Sequence, residues 1–127
     1  MKDLIIDSTI KTPEVTFKAT EGVLTLKGRS IPENSIDFFK PLHDWIEEYF
    51  QNPNETTRVE IKLEYFNTSS SKSMLDLFKK MESFNGTLSN IEINWFYEED
   101  DEDMLEAGED YQAILNVPVH MISVDEL

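Results

Sequence analysis

Leu63-Glu64-Tyr65-Phe66-Asn67-Thr68-Ser69-Ser70-Ser71-Lys72 is the stretch in which one structural period gives way to another. Before and into it, Val59, Ile61, Leu63 and Tyr65 alternate with Arg58, Glu60, Lys62 and Glu64. Period two marks a strand with one covered and one wet face, so the four apolar residues are expected to point into a core. After it, Met74, Leu75, Phe78 and Met81 fall at helical spacing. Asn67 and four consecutive hydroxyl residues, Thr68 to Ser71, stand at the junction. The first N–H groups of a helix lack intrahelical partners and that end carries partial positive charge. A hydroxyl there can cap the helix, meet an anion, or carry one. Four hydroxyls exceed what a cap requires.

The same two periods recur on either side. Val15 and Phe17 alternate with Glu14, Thr16 and Lys18, Thr20-Glu21-Gly22 supplies a turn, and Val23 to Lys27 completes a hairpin; Leu4 to Ile6 is a short first strand or an edge segment. Gly28 to Ser35 reads as a loop ending in the cap candidates Asn34 and Ser35. Phe38, Leu42, Trp45, Ile46, Tyr49 and Phe50 form the apolar face of a first helix, with Pro41 expected to kink it or restart it. The second helix closes near Asn85-Gly86. Ile91, Ile93, Trp95 and Tyr97 alternate again, with Phe96 an aromatic on the nominally polar face. A short third helix falls in or after Glu98 to Asp110, and Val117 to Val124 is a last strand with Pro118 at an edge. The order is that of an α/β domain of four or five strands. Strands that alternate, rather than running continuously apolar, place the helices mainly on one face.

A length of 127 residues suits one domain, residues 1–127. With 26 acidic against 11 basic residues the net charge is −15, which repels phosphate backbones and anionic membranes, so neither nucleic acid nor membrane insertion is expected. The absence of cysteine removes disulfides, thiolate metal sites and a cysteine nucleophile. The apolar run at the N-terminus is too short for a signal peptide, and a cytoplasmic protein is expected.

Other chemistry is thinly supported. Ser69-x-x-Lys72 matches the Ser-x-x-Lys of penicillin-recognising acyl enzymes, and opens the alternative of a small serine hydrolase or acyl transferase; the companion motifs are missing. Lys72 is otherwise expected to pair with a local carboxylate or to contact a phosphate. His43 and His120 are far apart and stand without a spaced ligand motif, so neither a metal site nor a catalytic pair is expected. The acidic run Glu98 to Asp103 lacks calcium-loop spacing; a solvated loop is the default and a weak divalent-cation or basic-partner site the other reading, while a constitutive acidic adaptor working through Glu98 to Asp110 is the second alternative. The four glycines stand apart, so no phosphate loop exists and no cofactor is expected.

Two stretches taken together, Gly28-Arg29-Ser30-Ile31-Pro32-Glu33-Asn34 and Leu63 to Lys72, resemble the SiaC family of bacterial regulatory phosphoproteins, which are similar in fold to the STAS domains of anti-sigma-factor antagonists. The resemblance covers the whole chain. It implies a non-enzymatic partner switch phosphorylated on the Thr of Asn-Thr-Ser-Ser-Ser, here Thr68, with Asn67, Ser69, Ser70, Ser71 and Lys72 shaping the partner-binding surface. The partners it implies are a serine/threonine kinase of the histidine-kinase-like ATPase type, a metal-dependent PP2C-type phosphatase, and an effector such as a diguanylate cyclase. That effector would tie the switch to cyclic-di-GMP and biofilm signalling.

Overall fold

Six strands and three helices make up the computed structural model, which describes residues 1–127. The strands are β1 (Leu4–Ile6), β2 (Glu14–Lys18), β3 (Val23–Ser30), β4 (Thr56–Phe66), β5 (Asn90–Glu98) and β6 (Val119–Val124). They lie in one sheet in the order β1-β2-β3-β4-β5-β6, antiparallel through β1, β2 and β3 and parallel from β3 to β6. The count of six corrects the four or five read from the sequence. Leu4–Ile6 is a true strand, pairing with Phe17 to Val15 of β2. Three residues are too few for a period to show. This strand is fastened instead by distant groups: Ala19 N–H donates to Asp3 Oδ1 at 2.9 Å and Trp45 Nε1 donates to the Lys2 carbonyl at 2.9 Å.

All three helices cover one face. Val15, Phe17, Leu24, Leu26, Val59, Ile61, Ile91, Ile93, Trp95 and Val119 project from that face into a core of 25 buried residues. Each such large apolar side chain stabilises the fold by roughly 1.5–3 kcal/mol relative to exposure. The other face carries the register row Thr16, Thr25, Glu60, Asn94 and His120 and is open. Phe96, the aromatic on this polar face, lies under the Lys62 ammonium, 4.9 Å from its ring centre.

Helix α1 (Ser35–Tyr49) begins where the Asn34 side chain accepts the Asp37 N–H at 3.1 Å, and it runs through Pro41 without a break. Pro41 is exposed, so its missing donor is lost on the wet side of the helix. Helix α2 (Thr68–Glu82) follows β4 directly, with Asn67 as its cap. Helix α3 (Glu102–Ile114) is the short third helix expected in or after Glu98 to Asp110; it starts inside the acidic run, so only Glu99 to Asp101 form the connecting turn. Asp101 Oδ1 accepts the Met104 N–H at 3.0 Å, Glu102 and Asp103 fill the first turn, where negative charge is favourable, and Met104, Gly108 and Tyr111 make the buried stripe.

Two irregularities at the carboxyl end of β4 shape everything near the Asn67 junction. Gly28 pairs with Leu63 but Arg29 pairs with Tyr65, so Glu64 is an extra residue, a bulge, opposite a Gly28 whose φ of 116° no side chain would welcome. The bulge flips the parity of β4. Tyr65, expected inward, is 50 % exposed, and Phe66 turns in to meet Trp95 edge-on at 6.0 Å. The β4–β5 pairing also stops at Ile61–Trp95, while β4 runs on to Phe66 and β5 to Glu98, each paired only with its outer neighbour. The two strands part, and the gap opens at the end of the sheet where α2 begins.

Candidate functional site

Asn67 organises the junction with both of its oxygens. Its Oδ1 accepts the Ser70 N–H at 2.9 Å and the Ser69 hydroxyl at 3.1 Å, and its carbonyl accepts the Ser71 N–H at 3.0 Å. An asparagine side chain at this position satisfies one of the otherwise orphaned first-turn donors.

The four hydroxyls then divide by environment. Ser70 is fully buried; its Oγ donates to the Ser30 carbonyl at 2.9 Å and shares a 2.8 Å bond with Ser30 Oγ, stitching the helix start to the end of β3. Ser71 Oγ lies 3.0 Å from Tyr111 Oη, and that phenol donates to the Ser71 carbonyl at 2.9 Å, tying α2 to α3. Burial raises the Tyr111 pKa above its ordinary 10.0, the Ser71 bond partly offsets the rise, and Asp110 adds to it, so the phenol stays a neutral donor. One turn on, Ser73 Oγ donates to Ser35 Oγ at 3.3 Å and joins α2 to the start of α1. Every buried side-chain N or O atom has a partner.

Thr68 is different. It is the first residue of α2, it is exposed, and its hydroxyl takes part in none of these bonds. The sequence grouping Asn67 to Lys72 is therefore one structural unit, but its members do different things. Asn67 and Ser69 form the cap, Ser70 and Ser71 are internal ties, and Thr68 is the free hydroxyl. Lys72 is exposed and pairs with no carboxylate, contrary to the local ion pair expected for it. The Ser69 hydroxyl is spent on Asn67 and no hydrogen bond joins it to Lys72, so the two are not arranged as nucleophile and base.

The histidines are not brought together. His43 sits on α1 with its pKa lowered by burial and by the Lys80 charge, against opposing pulls from Asp76, Asp44 and Glu47. His120 lies on the open face, 3.9 Å from Glu92. Ser30 and Tyr111, which hold the hydroxyl run in place, are not singled out as its partners by sequence spacing alone; Ser30 lies inside the other quoted stretch, Gly28 to Asn34, which was the available signal for it.

Beside the junction, the end of β4 and the first turns of α3 enclose a cleft of about 410 Å³. Tyr65, Phe66 and Met104 line it, with Glu64, Asp101 and Asp103 at its margin. Arg29, outside it, rests its guanidinium 5.8 Å from the Tyr65 ring centre.

Fold and site together define a half-covered α/β domain that offers one unbonded hydroxyl at a helix N-terminus beside an acidic-rimmed cleft. The chain belongs to the SiaC family of regulatory phosphoproteins, whose family model matches residues 6–124. An uncharacterized protein of Pseudomonas aeruginosa strain UCBPP-PA14 is 29% identical over 126 residues, which cover 99% of this chain and 100% of that one. The solved structure of SiaC of Pseudomonas aeruginosa superposes with a TM-score of 0.88 at 28% identity, covering 98% of this chain and 100% of that one. A further match, with a TM-score of 0.89 at 28% identity over 96% of this chain and 100% of the other, comes from the crystal structure of the diguanylate cyclase SiaD in complex with its activator SiaC, also from Pseudomonas aeruginosa.

Proposed function

We propose that this chain is a non-enzymatic, cytoplasmic partner switch of the STAS-like kind, in which reversible phosphorylation of Thr68 controls engagement of an effector, a diguanylate cyclase. A serine/threonine kinase of the histidine-kinase-like ATPase type adds the phosphate and a PP2C-type phosphatase removes it. The observation that carries this reading is the exposed, unbonded hydroxyl of Thr68 within a run whose other hydroxyls are all engaged. That SiaC of Pseudomonas aeruginosa is the activator of the cyclase SiaD supports the choice of effector.

The physics of the modification fits a surface switch. A phosphate adds about −1.5 to −2 charge at neutral pH and is tolerated at a helix N-terminus, where free N–H groups and the dipole favour an anion. Ser70 and Ser71, which hold the fold, keep their bonds. The added bulk and charge act on whatever docks against the start of α2, and no refolding is needed.

Thr68→Ala is expected to bind the effector as the unmodified chain does, and Thr68→Asp at least about tenfold more weakly, equivalent to ~1.4 kcal/mol. Isothermal titration against the purified cyclase reads both. Equal, parent-like binding by the two variants would remove the switch.

A further inference from the structure

We infer that the cleft between the end of β4 and the start of α3 is the anchor for an arginine side chain of the protein partner that docks beside Thr68. The inference rests on the switch reading for the identity of the docking protein, but the preference of the cleft for a guanidinium rests on its own geometry.

The cleft lies where β4, past its last pair with β5 at Ile61–Trp95, runs on to Phe66, and all its lining residues come from the end of β4 or from Asp101 to Ala107. Its margin carries the carboxylates of Glu64, Asp101 and Asp103, no lysine, arginine or histidine lines it, and none of the three acids is in an ion pair. The occupant is thus a cation.

It is not a bare metal ion, because these carboxylates do not converge into a group that could hold one. It must bring its own length and carbon to span about 410 Å³ and to cover the apolar surfaces of Tyr65, Phe66 and Met104. Arginine meets these demands better than lysine. Its guanidinium is planar, stacks on aromatic rings, is more weakly hydrated than an ammonium, and can donate to a carboxylate through two parallel bonds. Tyr65 already receives one guanidinium from within the chain, that of Arg29.

Charge complementarity favours the same occupant at longer range, since a chain of net charge −15 steers a basic surface toward it. Location gives the anchor its use. Tyr65 and Phe66 lead through Asn67 directly into Thr68, so a segment held in the cleft lies next to the hydroxyl proposed to carry phosphate.

The test is a nitrogen-15 NMR titration of the full, unphosphorylated chain with acetyl-Gly-Arg-Gly-amide, and with the same peptide carrying citrulline or lysine in place of arginine. Arginine is expected to give saturable shifts confined to residues 64–66 and 101–107, with a Kd of about 1 mM or weaker. The citrulline peptide should give none, and lysine should bind about fivefold more weakly or worse. Glu64→Gln with Asp103→Asn should weaken arginine binding about fivefold, and Ala107→Phe, which fills the cleft without removing charge, should abolish it. Should Ala107→Phe fail to fold by circular dichroism, the charge pair decides. No saturable shift, an equal response to citrulline or to lysine, shifts elsewhere on the surface, or binding that survives the charge pair overturns the inference. No partner and no phosphate enter the titration, so its failure leaves the Thr68 switch standing. Parent-like binding of both Thr68 variants would in turn leave the cleft's preference standing.

Discussion

Removing the Ser70 hydroxyl should unsettle the fold, whereas removing the Thr68 hydroxyl two residues earlier should not. Ser70 and Ser30 are both at 0% exposure, and Ser70→Ala deletes two bonds at once, the 2.9 Å donation to the Ser30 carbonyl and the 2.8 Å bond to Ser30 Oγ. The carbonyl retains the Asn67 N–H at 3.0 Å, but Ser30 Oγ is left buried with no partner. An orphaned buried hydroxyl costs about 1–3 kcal/mol. Unfolding entropy near 2.1 cal/mol/K per residue amounts to about 0.27 kcal/mol/K for a chain of this length, so a loss of ~2 kcal/mol lowers Tm by about 7 °C. Thr68→Ala removes an exposed group with no bond and should stay within about 0.5 kcal/mol of the parent. Calorimetry of the two variants, with urea unfolding as a second measure, makes the comparison. The double variant Ser30→Ala with Ser70→Ala sharpens it, because deleting both partners leaves no orphan and should cost less than the two single changes added together. Were Ser70→Ala to melt with Thr68→Ala, or the double variant to be additive, the division between a structural hydroxyl at Ser70 and a free one at Thr68 would be wrong.

Gly108→Ala should destabilise by about 1–3 kcal/mol despite the better helix propensity of alanine, because the new methyl would meet the Trp95 ring and lie 2.8 Å from Met121 Sδ. Trp95 is fully buried with Nε1 donating to the Met104 carbonyl at 2.9 Å, so it has nowhere to move; a raised urea midpoint would contradict this. Glu82 supplies an acid-sensitive contribution. The Asn116 N–H, 2.6 Å from its carboxylate, lowers its pKa from the ordinary 4.5; burial opposes this, and Lys79 adds a lesser lowering. A lowered folded pKa means stabilisation present above pH 4.5 and lost as pH falls through the folded value, so Glu82→Gln should flatten that part of the acid limb in urea melts across the range, and an unchanged limb would count against the assignment.

How far the sequence discloses this fold depends on where each signal lives. From Arg58 to Leu63 the alternation is unbroken and the strand is legible, because side chains on a regular pleat repeat at two and the covered face needs every second one apolar. At Glu64 the same rule points Tyr65 the wrong way. A bulge inserts one residue, and nothing in the alternating pattern distinguishes an extra position from the next regular one; only the neighbouring strand, through Gly28, records it. The acidic run shows a third helix but not its start at Glu102, since the buried stripe is only Met104, Gly108 and Tyr111, whose partner, Trp95, belongs to another element. At the hydroxyl run, local chemistry indicates that Asn67 caps a helix but leaves Thr68, Ser69, Ser70 and Ser71 equivalent. They become unlike only when Ser30 arrives from 40 residues away to bury Ser70, and Tyr111 from the opposite direction to hold Ser71. Thr68 is singled out by what the fold does to its neighbours, and the cleft beside it by the start of α3 standing against the end of β4. Both come from the fold; the periodicity and capping chemistry of the ten residues carry neither, and there only the family resemblance points to Thr68.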